Sequence, residues 1–205
     1  MDGLEQKDLL FPDLLESYPR RLAFWGVGPS GPGYSNFWIR VWFEGTLGCT
    51  TGPRPRWWLL RLARRIPPGG ILEELVGYSR GVVTAVRLAR ILESRRVTIR
   101  EFLALDPIVF HGRCLCVPEN VIRATCYYQR NGARTLGLWG RLGRGVPLAR
   151  RGGGGNELVN VLLTTDCNGR RILHEDVPSY VWHHLREQGF PKEASTGFLE
   201  IEKER

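Results

Sequence analysis

The sequence predicts an α/β protein of three layers, a mostly parallel sheet with helices on both faces. Three observations predict it. Short apolar runs rich in β-branched and aromatic residues alternate with amphipathic runs of helical spacing, and parallel strands need such crossovers. At residues 75–83, Leu75-Val76-Gly77-Tyr78-Ser79-Arg80-Gly81-Val82-Val83, one apolar run passes straight into an amphipathic one through Gly-x-Ser-x-Gly. The length of 205 residues suits one domain with a substantial core and leaves little room for a second.

In chain order, residues 1–20 carry the helix-like spacing Leu9, Leu10, Leu14, Leu15 and stop at Tyr18-Pro19, an expected N-terminal helical extension. Residues 22–27 read as a buried strand, ended by the Gly/Pro-rich loop 28–34. Residues 37–43, Phe-Trp-Ile-Arg-Val-Trp-Phe, read as a second strand. Helical spacing over 57–66 meets a Pro67-Pro68-Gly69-Gly70 stop, and 71–76 form the strand that leads into Ser79. Val82, Val83, Val86, Leu88, Ala89 and Leu92 then mark an amphipathic helix. Strands are expected at 97–105, 121–128 and 158–165, the last of the sheet, with a terminal helix over 180–185 opened near Pro178. The α/β domain therefore spans 21–190, with a polar tail at 191–205. Residues 130–156, rich in Arg and Gly, form an insertion without periodicity: a solvated loop, or a flap presenting Leu136, Leu138, Trp139 and Leu142 to an anionic membrane through its arginines at 130–151.

Composition sets limits. With 42% hydrophobic and 24% charged residues the chain is expected to fold throughout most of its length. No apolar run has the length of a membrane span, and the acidic N-terminus lacks a secretory layout, so a cytoplasmic protein is expected, export by another route staying open. The five cysteines (49, 114, 116, 126, 167) are irregularly spaced and read as reduced thiols, with no metal-site spacing. The net charge of +8 invites nucleic acid, yet of 29 basic residues only Lys7, Lys192 and Lys203 are lysines. That arginine skew is equally a mark of genome composition, so nucleic acid is not the expected partner.

The chemistry is carried by Ser79. A strand feeding directly into a helix turns sharply at the intervening residue, and side chains at the flanking positions would collide with neighbouring elements, hence Gly77 and Gly81. The turn lifts the serine hydroxyl above the sheet at a helix N-terminus. In a chain with 25 glycines the pentapeptide alone discriminates little; its setting between strand and helix is what counts. Serine needs a base and an acid that orients the base. Asp106 ends the strand after the Ser79 helix, on the same sheet edge. Asp166, at the end of the strand before His174, is the alternative acid. Among four histidines, His174 lies in a late loop before the terminal helix; His111 is close behind Asp106, and His183 and His184 lie within the terminal helix.

Gly77-Tyr78-Ser79-Arg80-Gly81, Leu105-Asp106-Pro107 and His174-Glu175-Asp176, in that order, resemble the Ser…Asp…His succession of the α/β-hydrolase superfamily in a compact lipase- or esterase-like form, over residues 21–186. The resemblance implies a reduced α/β-hydrolase fold lacking the first antiparallel strands and a cap domain. It implies hydrolysis of a carboxylic ester through an acyl-enzyme, with Ser79 as nucleophile, His174 as base and Asp106 as acid. Its oxyanion hole implies the N–H of Arg80 and a second from Val27 or Gly28. No metal or organic cofactor is called for. A small-molecule or lipid ester is the expected substrate, with Trp25, Tyr34 and Tyr78 as candidates to meet an acyl group or simply to pack. Asp176 is expected to cap the terminal helix. The alternative is a non-catalytic hydrolase-like domain that binds nucleic acid or anionic membrane through its arginines. A dinucleotide site at Gly26-x-Gly28-x-x-Gly31, with Glu44 beyond, is set aside because 31–37 leaves no room for a crossover helix.

Overall fold

The computed structural model describes residues 18–43, 48–109, 114–134, 143–150, 157–183 and 200–201. Strands β1 (Arg21–Phe24), β2 (Gly48–Thr51), β3 (Ile71–Tyr78), β4 (Thr98–Leu105), β6 (Val121–Gln129), β8 (Glu157–Leu163) and β9 (Glu200–Ile201) form one sheet in the order β2-β1-β3-β4-β6-β8-β9. All pairings are parallel except β8 with β9. The short strands β5 (Leu115–Val117) and β7 (Leu148–Arg150) pair in parallel as a separate ribbon.

Two apolar cores lie on opposite faces of the sheet. In β1, Leu22 and Phe24 belong to one core and Ala23 to the other; in β4, Phe102 and Ala104 oppose Leu103 and Leu105. On the first face pack α2 (Arg56–Arg65) and α3 (Arg80–Glu93), together with Leu115, Val117 and Leu148 of the small ribbon. Helix α2 packs through Leu59, Leu62 and Ala63, with Ile66 one turn on, the i, i+3, i+4, i+7 set of one helical stripe. The second face is covered by α1 (Ser35–Phe43) and α4 (Val177–Val181) through Ile39, Val177 and Val181. The α/β class expected from the alternation of runs is the one observed.

Residues 37–43 correct the sequence reading: they belong to helix α1, not a strand. Aromatic and β-branched composition expresses fit to a pleated surface and yields to context. Here β1 must reach a parallel neighbour, β2, and so requires a crossover. Asn36 and Ile39, three residues apart, are buried while Arg40 is exposed, a helical pattern. Strands β2, β5 and β9 were not expected, being two to four residues each. Strand β9 falls in the tail, so β8 is not the last strand of the sheet, although the remainder of 191–205 lies outside the described residues. The terminal helix opens near Pro178 as expected, with that proline in its first turn, and α4 ends at Val181. The insertion is not uniformly a loop: 143–150 lies against the domain and contributes β7, whereas 135–142, with Leu136, Leu138, Trp139, Arg141 and Leu142, and 151–156 lie outside the described residues. So do 1–17. Among the described residues no helix is long and apolar enough to cross a membrane.

Strand β1 leads through α1 to β2 on its outer side, and β2 leads through α2 to β3 on the opposite side of β1. The loops after β1 and β3 thus diverge at a topological switch point, where open α/β sheets form a crevice. Helix α3 is pressed against β1 at this point. A Cβ on Gly81 would stand 2.6 Å from both the Phe24 carbonyl carbon and the Trp25 carbonyl oxygen, and one on Gly77 would stand 2.6 Å from Val82 Cα. These obstacles are backbone and cannot rotate aside. Gly81→Ala is therefore expected to destabilise the fold by about 3 kcal/mol, read as a lower denaturation midpoint with unchanged slope.

Candidate active site

Ser79 sits between the last residue of β3 and the first of α3 with φ 55° and ψ −124°, a conformation that L-residues rarely adopt. Neighbouring main chain holds it there: its N–H donates to Leu105 O at 2.8 Å, continuing the β3–β4 pairing one residue past the strand. A serine at a helix N-cap ordinarily turns its hydroxyl onto the first-turn amides. The Ser79 hydroxyl makes no such bond and lies 3.0 Å from His174 Nε2. Backbone strain combined with an unused capping option marks a residue placed for something other than helix stability.

Asp106 follows β4 in the same manner, with φ 44° and its N–H donating to Tyr127 O of β6 at 2.7 Å. Its carboxylate is wholly buried and accepts three hydrogen bonds, from Gln129 N–H (3.0 Å) on Oδ1 and from Gln129 Nε2 (2.7 Å) and His174 Nδ1 (2.6 Å) on Oδ2. Burial holds the Asp106 carboxyl above the ordinary carboxylate range, against the pull of the His174 and Gln129 hydrogen bonds. Because the carboxylate accepts from Nδ1, the proton of a neutral His174 sits on Nδ1, leaving Nε2 to accept from the Ser79 hydroxyl.

His174 opens a 3-10 turn, His174–Asp176, ahead of α4. Its N–H donates to Gly132 O at 2.9 Å, and its carbonyl accepts from the Tyr78 hydroxyl at 3.2 Å. The Tyr78 ring stacks on the imidazole at 5.0 Å between centroids and 22° between planes. Tyr78, 3% exposed, therefore packs against His174, the packing role of the two expected for it. Asp176 departs from expectation. It makes no side-chain cap to α4; its carboxylate accepts from Leu173 N–H at 3.1 Å and pairs with Arg134 at 3.1 Å, closing the turn that carries His174.

Asp166, the alternative acid, is spent on its own turn. Its carboxylate accepts from Asn168 N–H and Arg170 N–H at 3.0 and 2.9 Å, and the Arg170 and Asn168 amides hold its carboxyl below the ordinary value. It lines a small cavity with Arg170, Asp176 and His183, and His174 is not among that cavity's walls. His183 follows α4, edge-on to Trp38; His111 and His184 lie outside the described residues.

The loop after β1 closes over Ser79. A Cβ on Gly26 would stand 2.9 Å from Ser79 Cβ, so that glycine is explained by the approach of the serine. Buried Asn36 ties the loop down: Oδ1 accepts from Gly26 N–H at 3.0 Å, and Nδ2 donates to Gly28 O and Pro29 O at 3.2 and 3.0 Å. Val27 is 77% exposed, Gly28 has φ 118°, and Arg80 heads α3. Because α1 does follow this loop, the ground on which a dinucleotide site was set aside does not hold. The first glycine of that motif, however, has its amide on Asn36 and Ser79 above it, which leaves no open phosphate cradle there. Glu44 lies outside the described residues. Among the described residues no three His, Cys, Asp or Glu side chains form a metal-binding group.

Sequence reading missed Gln129 and Asn36. Gln129 is fully buried at the end of β6; besides gripping Asp106 it donates to Gly143 O at 2.7 Å and accepts from Gly132 N–H at 2.8 Å. It thereby joins the acid to the segment that holds His174. Its signal was available, since it ends the strand beside Asp106 as Asp106 ends the strand beside Ser79. Gln129→Met keeps the length and removes every side-chain hydrogen bond. It is expected to lower stability by about 1–3 kcal/mol, checked by denaturation. Family models, curated proteins and solved structures give no match to this chain.

Proposed function

We propose that this protein is a serine hydrolase of the α/β-hydrolase type that cleaves a carboxylic ester. The observation that carries the reading is the unbroken relay from Ser79 Oγ to His174 Nε2 (3.0 Å) and from His174 Nδ1 to Asp106 Oδ2 (2.6 Å) at one edge of a parallel sheet. Ser79 attacks the ester carbonyl as His174 Nε2 takes its proton; Asp106 stabilises the imidazolium without itself becoming protonated. The imidazolium returns the proton to the leaving alkoxide, and a water then resolves the acyl-enzyme by the same route. The oxyanion is assigned to the N–H of Arg80 with that of Val27 or Gly28, on the loop that Asn36 fastens. Graded burial suits these roles: Asp106 is wholly enclosed, while Ser79 retains 7% exposure through which a substrate can reach it.

A fluorophosphonate probe tests the reading. Wild-type protein should acquire one covalent adduct, located on Ser79 by peptide mass spectrometry, and Ser79→Ala should acquire none. Folded wild-type protein that stays unlabelled would remove the hydrolase reading. A series of p-nitrophenyl esters of increasing acyl length then separates short-chain from lipid-like preference.

A further inference from the structure

We propose that the outer face of α2 and α3 docks on an anionic lipid bilayer. This inference does not rest on the hydrolytic reading. Helix α2 contains no acidic residue, and its four arginines are all exposed. On the same face stand Trp57, 60% exposed, and Leu60, 38% exposed, three residues apart and thus one above the other. Between α2 and α3 runs a groove of about 510 Å³, walled by Arg56, Arg87 and Arg90 around an apolar floor of Leu60 and Ile91.

Among the described residues several arginines elsewhere pair with carboxylates: Arg21 with Glu74, Arg100 with Glu73, Arg123 with both Glu101 and Glu157, Arg134 with Asp176, Arg170 with Asp166. Among the described residues Arg56, Arg61 and Arg64 of α2 and Arg87 of α3 have no such ion pair, and Arg90 reaches the Cys116 carbonyl at 3.5 Å. Glu93, the one carboxylate of α3, accepts from Glu119 N–H. A surface of exposed arginines with an indole and a leucine raised among them matches lipid headgroups over an acyl boundary: the cations meet phosphates while Trp57 and Leu60 enter the interface. A nucleic-acid backbone would satisfy the arginines but offers nothing to the aliphatic floor of the groove.

Docking also has a direction. Helix α2 starts five residues after β2 ends, on the sheet edge that carries Ser79, and the neighbouring loop exposes Val27 and Tyr34. A bilayer against α2 would lie beside that edge.

The test is co-sedimentation of the full-length chain with phosphatidylcholine vesicles, with and without about one third phosphatidylserine. Binding is expected only with phosphatidylserine, and at least about ten-fold weaker when salt rises from about 0.15 M to about 0.5 M. Arg56→Gln/Arg87→Gln/Arg90→Gln should weaken it about 100-fold, some five-fold per arginine, and Trp57→Ala about ten-fold. Arg123→Gln, which removes a paired arginine elsewhere, should change nothing; circular dichroism confirms that each variant is folded. Equal binding to neutral vesicles, no binding at all, or binding unaffected by the triple substitution overturns the proposal. So does tighter binding of a single-stranded oligonucleotide through the same arginines.

Discussion

Ser79→Ala is expected to lower kcat for an activated ester by about 10⁶-fold while leaving the fold unchanged. The two halves of this result have separate causes. On the proposed reading the hydroxyl forms the acyl bond, and without it His174 and Asp106 have no hydroxyl to activate. The residual rate is what the oxyanion donors and simple binding supply. Structurally the hydroxyl carries little, since it makes no cap to α3 and the imidazole beside it retains solvent contact. Stability should therefore move by no more than about 1 kcal/mol. The backbone strain at φ 55° belongs to the main chain and persists in alanine. Ester kinetics under conditions that detect very slow turnover, together with thermal unfolding, check both halves. Wild-type kinetics retained by folded Ser79→Ala would mean that the relay is not the seat of the reaction.

Much of this arrangement could be read from the chain because the relevant signals are local. Apolar residues on either side of a charged pair, Glu73-Glu74 in β3 and Arg100-Glu101 in β4, declared those strands, the stripe of Leu59, Leu62, Ala63 and Ile66 declared α2, and Ser79 and Asp106 each follow a strand that points to the same edge. Where sequence failed, a nonlocal constraint decided. Residues 37–43 look like a strand by composition and became α1 because β1 and β2 are parallel neighbours. The choice between Asp106 and Asp166 is invisible in chain order, since both end strands. Sheet order separates them: β4 lies directly beside β3, whereas β4 and β6 both stand between β3 and β8. Gln129 and Asn36 act through partners up to 23 residues distant; the place of Gln129 at a strand end beside Asp106 is a signal, whereas no spacing rule announces Asn36. Gly145 belongs to the same class: a Cβ there would stand 2.8 Å from Asp106 Cγ, so a glycine within the apparent loop closes over the acid.

Asp106→Asn is expected to reduce kcat by about 10⁴-fold, and the hydrogen-bond pattern gives the reason. Three donors converge on the carboxylate, one on Oδ1 and two on Oδ2. Asparagine has one acceptor oxygen. With that oxygen in the Oδ2 position, its amide group opposes the Gln129 N–H. With the oxygen in the Oδ1 position, the amide opposes Gln129 Nε2 and drives His174 into the tautomer whose Nε2 bears the proton, unable to accept from Ser79. Stability should respond differently with pH. Because burial raises the folded carboxyl above its unfolded value, both states are protonated at low pH and the group contributes nothing there. As pH rises through the unfolded value the unfolded chain ionises first, so the wild-type fold loses stability until pH exceeds the folded value, and the loss is then constant. Asparagine lacks this contribution. From the ordinary carboxylate range upward the stability of Asp106→Asn relative to wild type should therefore rise until the folded carboxyl is ionised, while wild-type kcat/KM rises over the same interval because the proposed reaction requires the ionised acid. Denaturant unfolding of both proteins across that range measures the first, and ester hydrolysis the second. Parallel stability curves would mean that the Asp106 carboxyl is not held above its ordinary value. Opposed trends in activity and stability are what a carboxylate kept charged out of water for the sake of His174 must produce.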